Sequence, residues 1–280
     1  MRHRSFILAL GLAVLPLTAS AVELVLPAFA LNAATADGTY RSTEVYLVNP
    51  TPEPIQVTLA GFLPGRVHRP APCNQFMSPT RVVPPRSAVL WTAAGLATDL
   101  GCADEVIGAL TLRADGPVRV TGRMVHTPDA TPPPTAVLSG GGQSIEAVPV
   151  GALPGPTTLL LPALMWHRNP CGEPAFTTTV GFANPGPEPV TVTMFIHTEN
   201  RQALRIDDRP VALPHQIVVE PGRWQELRLA PMNRADDICL EPESFDLELI
   251  VDGPLAVYGS VFDRWSLDGR TVTPVDLERN

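Results

Sequence analysis

The stretch VNPTPEPIQVT, Val48–Thr58, returns as ANPGPEPVTVT, Ala183–Thr193, 135 residues further on. The agreement reaches well beyond that stretch. LVLPAF (Leu24–Phe29) matches LLLPAL (Leu159–Leu164), and STEVYLVNP (Ser42–Pro50) matches TTTVGFANP (Thr177–Pro185), both at the same offset. VVPP (Val82–Pro85) matches VVEP (Val218–Pro221) at 136. Cys102 matches Cys239, and RADGPVRVTGRMV (Arg113–Val125) matches IVDGPLAVYGSVF (Ile250–Phe262), both at 137. Order is kept and the drift is two residues, which is the mark of an internal duplication. A chain of 280 residues built this way must fold as two copies of one unit.

Each copy reads as strands. Ile55-Gln56-Val57-Thr58-Leu59 alternates as a half-buried strand should, and Thr43–Val48 alternates in part. Between them, Asn49 precedes Pro50, and two further prolines remove backbone donors, so Asn49–Pro54 cannot join a ladder. The repeated motif is therefore turn chemistry that reverses one strand into the next. Asp115-Gly116-Pro117 and Asp252-Gly253-Pro254 carry the same expectation, turning Leu110–Arg113 into Val118–Val125 and Leu247–Val251 into Leu255–Phe262. With 32 Pro and 21 Gly, long helices are disfavoured. About seven short strands per copy predict an all-β chain of two tandem immunoglobulin-like β-sandwich domains. The expected divisions are a first repeat over 22–126, a Pro/Gly-rich linker over 127–156 and a second repeat over 157–280. Within the linker, Ile145–Val150 is a candidate added strand.

The first 21 residues read as a signal peptide: Arg2-His3-Arg4, then the apolar run Phe6–Leu17, then Ala19-Ser20-Ala21. The expectation is export, to the periplasm or the extracellular space, with no later membrane span. All 20 basic residues are Arg, which is a matter of composition rather than function, and the formal charge is −8. An acidic exported chain makes nucleic acid a poor partner, because little neutralises phosphate. Four cysteines, Cys73, Cys102, Cys171 and Cys239, suggest two disulfides. Three pairings are open, and the repeat favours Cys73–Cys102 with Cys171–Cys239. A zinc site from the four thiolates lacks any CxxC spacing.

Leu26-Pro27-Ala28, Arg41, Thr43, Val45, Asn49-Pro50, Pro84-Pro85, Gly108-Ala109-Leu110, Gly116-Pro117-Val118, Arg123 and Gly140–Pro149 follow an ordered pattern. In that pattern the chain resembles a group of uncharacterised exported bacterial proteins built from tandem immunoglobulin-like β-sandwich repeats. The resemblance covers nearly all of the expected mature chain. It implies fold and location, and it brings no catalytic motif.

A search for chemistry gives little. Ser139 lacks the GxSxG elbow of a serine nucleophile. His68, His126, His167, His197 and His215 show neither HxH nor HExxH spacing. Asp207-Asp208, Asp236-Asp237 and the Asp263/Asp268 pair read as loop carboxylates, without a calcium-loop pattern. Neither catalytic nor metal-ligating residues are expected, and neither is a cofactor. Trp91 and Trp224 read as core. Trp166, His167 and Arg168, and Arg264 with Trp265, read as a possible binding surface, since exposed Trp among polar neighbours stacks on sugars or anchors proteins. The leading expectation is a non-enzymatic binding, adaptor or structural protein, partnered by an unknown protein or polysaccharide of the cell envelope. Its oligomeric state is not readable. Alternatives are a carbohydrate-binding module and a periplasmic pilus-type chaperone with Val118, Val120 and Met124 on a donor strand.

Overall fold

A computed structural model describes residues 21–34, 40–65, 78–102, 105–127, 142–168, 174–197, 204–207, 209–231, 243–263 and 269–278. These residues are nearly all β. The first half runs β1 (Val22–Leu31), β2 (Ala33–Ala34), β3 (Tyr40–Asn49), β4 (Ile55–Pro64), β5 (Thr80–Val83), β6 (Ser87–Trp91), helix α1 (Ala93–Leu100), β7 (Val106–Ala114), β8 (Arg119–Thr127), β9 (Gly142–Glu146) and β10 (Val148–Pro149). The second runs β11 (Thr157–Arg168), β12 (Pro174–Asn184), β13 (Val190–His197), β14 (Leu204–Ile206), β15 (Arg209–Val211), β16 (His215–Val219), β17 (Arg223–Pro231), β18 (Glu243–Val251), β19 (Ala256–Asp263), β20 (Gly269–Val272) and β21 (Val275–Asp276).

Antiparallel pairing gives each half two facing sheets, a sandwich-like arrangement. In the first half, sheet A has the order β10-β1-β7-β4-β5. Sheet B runs β3-β8-β9, with β2 and β6 both on the outer side of β3. In the second half, sheet C is β21-β11-β18-β13-β16 and sheet D is β15-β14-β17-β12-β19-β20. The end of β11 crosses from sheet C to pair with β12 at His167 and Arg168, which joins the two. The first half makes the same crossing in two pieces, β1 and then β2, separated at Asn32 by a left-handed residue with φ 49°. α1 is eight residues long, capped by Thr92 at its start and closed by Gly101 at φ 61°.

The repeated motifs recur as repeated atomic contacts. Asn49 is buried, and its Nδ2 donates to the carbonyls of Glu53 (2.7 Å), Val83 (3.0 Å) and Pro84 (3.1 Å), while Oδ1 accepts from the Thr51 amide. Asn184 is buried too, donating to Glu188 (2.7 Å) and Val219 (2.9 Å) and accepting from the Gly186 amide. Asp115 accepts from the Gln56 amide at 2.8 Å, and Asp252 from the Thr191 amide at 2.7 Å. The LPA segments are β-bulges in the first strand of each half. Pro27-Ala28 interrupt the pairing of β1 with β7, and Pro162-Ala163 that of β11 with β18. Proline has no amide to offer a ladder, so a bulge accommodates it without losing a hydrogen bond.

The expected strand reversals are corrected here. Asn49–Pro54 does not fold one strand back beside the next, because β3 belongs to sheet B and β4 to sheet A. The Asp-Gly-Pro segment likewise links β7 in sheet A to β8 in sheet B. The prolines deny the chain a hairpin ladder, and the Asn and Asp side chains supply the missing partners while the chain steps across the core. The stretch read as linker also contributes strands: Gly142–Glu146 pairs with β8, and Val148–Pro149 pairs with β1. In the second half β20 and β21 do the same for β19 and β11.

Candidate functional site

The most chemically distinctive place among the described residues is the seam between the halves. On β12, β17 and β19, alternate residues point away from the second core: Gly181 and Ala183, Trp224 and Glu226, then Ala256, Tyr258, Ser260 and Phe262. Ala183, Trp224, Ala256 and Tyr258 pack instead into the core of the first half. One face of the second half thus closes the open end of the first sandwich-like layer pair.

The geometry follows from residue size. Gly181 lies directly opposite Tyr258, and a methyl group there would land inside the Tyr258 ring. Glycine lets the ring lie across β12, where its hydroxyl donates to Glu226 Oε2 at 2.8 Å. The same carboxylate accepts from Arg41 Nη1 on β3, with Oε1 at 3.1 Å, and both side chains are mostly buried. Trp224 Nε1 donates to the carbonyl of Pro27 at 2.7 Å, in a buried contact. That carbonyl belongs to the bulge, where the strand pairing is interrupted. Further along, Ser260 Oγ donates to Gln143 Oε1 at 2.8 Å, Thr271 Oγ1 donates to the Ser144 carbonyl at 2.7 Å, and His126 stacks on Phe262 at 3.9 Å between ring centroids.

Burial, followed by the Glu226 carboxylate, holds the Tyr258 phenol well above its ordinary value. Burial works against the Arg41 charge, but Glu226 and Tyr258 outweigh it and hold the guanidinium above its ordinary value. Glu226 is thus paired with a guanidinium and hydrogen-bonded by a phenol. The arrangement clamps two bodies together: Arg41 Nη1, the Glu226 carboxylate and the Tyr258 hydroxyl are spent on one another, while Arg41 Nε is buried without a hydrogen-bond partner.

The residues expected to bind fall elsewhere. Trp166, His167 and Arg168 end β11, where the backbone of Trp166 pairs with Glu243 and that of His167 with Phe176. Their side chains lie outside the described residues. Phe176 pairs in turn with Asp263, which ends β19. Arg264 and Trp265 follow it in sequence and lie outside the described residues. One backbone row, 167–176–263, thus brings the end of β11 and the end of β19 to the same end of β12 in the second half. Cys102 is disulfide-bonded. Cys73, Cys171 and Cys239 lie outside the described residues, as do Ser139, His68, Asp208, Asp236, Asp237 and Asp268.

The remaining sites have structural partners. Trp91 is buried, donates to Asp99 Oδ2 at 2.9 Å, and has the Arg81 guanidinium 5.1 Å from its ring centroid. His197 meets Glu248 at 2.7 Å on an exposed sheet surface. Asp207 accepts from the Arg228 amide and so fixes the β14–β17 junction. No group of three or more His, Cys, Asp or Glu side chains among the described residues could hold a metal ion. No helix among them is long and apolar enough to cross a membrane.

The seam was missed in the sequence because it is built where the repeats differ. At the repeat offsets, Trp224 corresponds to Ala88, Gly181 to Tyr46 and Tyr258 to Thr121. Those mismatches on neighbouring strands were the available signal. Comparison with protein-family models, curated proteins and solved structures gave no match.

Proposed function

We propose that this chain is an exported, non-enzymatic protein of two tandem immunoglobulin-like β-sandwich domains that arose by duplication. The two act as one rigid unit that binds a partner of the cell envelope or serves as a structural element in it. The observation that carries this reading is the seam. A buried Arg41–Glu226–Tyr258 cluster and the Trp224–Pro27 bond fix one half on the other, which suits a protein that presents surfaces at a set spacing. Two disulfides, Cys73–Cys102 and Cys171–Cys239, are part of the proposal.

A carbohydrate-binding reading is kept as the second, because the row 167–176–263 joins the end of β11, which carries Trp166, to Asp263, the residue that precedes Arg264 and Trp265 in sequence. The pilus-chaperone reading loses its support. Val120 and Met124 are buried in the first core, Val118 packs against it, and β8 is paired on both sides by β3 and β9, so the strand has nothing to donate.

The test is capture of the mature protein from its native envelope with a photo-activated or carboxyl-directed cross-linker. Amine reagents are unsuitable, since the chain has no Lys. A specific protein partner supports the adaptor reading, and enriched polysaccharide supports the carbohydrate reading. Recovery no better than with an unrelated β-sandwich protein counts against stable binding of either kind.

A further inference from the structure

We draw no further inference here: the strongest candidate, the outer face of sheet C that exposes Val218, Ile250 and Val275, carries nothing because nothing in the structure shows what covers it.

Discussion

Asn49 and Asn184 show how one buried amide replaces a hairpin. Each ends a strand, and each side chain satisfies carbonyls that the proline-rich crossover would leave bare. A buried carbonyl deprived of its donor costs about 1–3 kcal/mol. Asn184→Ala strips donors from Glu188 and Val219 together, so a loss of about 2–4 kcal/mol is expected by denaturant unfolding. A loss under about 0.5 kcal/mol would mean that water replaces the amide. Gly181 offers a sharper test, because its constraint is a single partner. Gly181→Ala forces the Tyr258 ring aside, and overpacking of this kind costs about 1–3 kcal/mol. In a Tyr258→Ala background the same change meets open space and should cost little. The double-mutant cycle should therefore show coupling of at least about 1 kcal/mol, and additive costs would disprove the proposed packing. Asn-Pro was legible as a break between strands because its prolines and its nearest carbonyl partner lie within a few residues, whereas its bond to the opposite sheet at Val83 or Val219 was not. Gly181 was not, because its partner lies 77 residues away at a position where the repeats disagree.

At the scale of the element, the repeats keep the devices that end strands and vary the faces between them. The LPA bulge, the Asn-Pro crossover and the Asp-Gly-Pro crossover all recur, and each keeps a bond or register shift common to both halves. Gly116 and Gly253 both face the first residue of the strand paired with the one they follow, Ile55 of β4 and Val190 of β13, where an added methyl would be crowded. Asp252 accepts one backbone amide, so Asp252→Ala should cost about 1 kcal/mol and Asp252→Asn, which keeps the carbonyl oxygen, distinctly less. Equal losses in the two variants would show that charge, and not the hydrogen bond, matters there. The edge strands β9 and β10 were harder to find. Gly142–Pro149 matches Gly269–Asp276 at an offset of 127, ten short of the preceding match, because the intervening segments differ in length. Flanking runs of Pro and Gly made the first of these segments read as linker, although its alternation already allowed an added strand. Periodicity reports which face of a strand is buried, and it does not report which sheet the strand joins.

At the scale of the molecule, the question is whether the seam is closed to water, since a wet seam would leave two loosely tethered bodies. Tyr258 answers it through pH. Its folded value is raised and its unfolded value is that of an ordinary phenol, near ~10. Below that pH both states keep the proton, and the group contributes its full stability. As pH rises through ~10 the unfolded phenol loses its proton while the folded one keeps it, so stability falls by about 1.4 kcal/mol per pH unit. The fall continues until the folded value is reached. Most proteins hide such a signal under lysine titration, but this chain has no Lys and only three Tyr. Arg41, also raised, stays charged throughout the range and adds no slope of its own there. Calorimetry between pH 8 and 11 should therefore show a steeper fall in Tm for the native chain than for Tyr258→Phe. For a chain of this size the difference should be about 2–4 °C per pH unit above ~10. Tyr40 and Tyr46 are common to both proteins and cancel in the comparison. Parallel curves would mean that the Tyr258 hydroxyl reaches solvent, and the halves would then be free to move against one another. A steeper native curve would establish a dry clamp, and with it the fixed spacing on which the binding proposal depends.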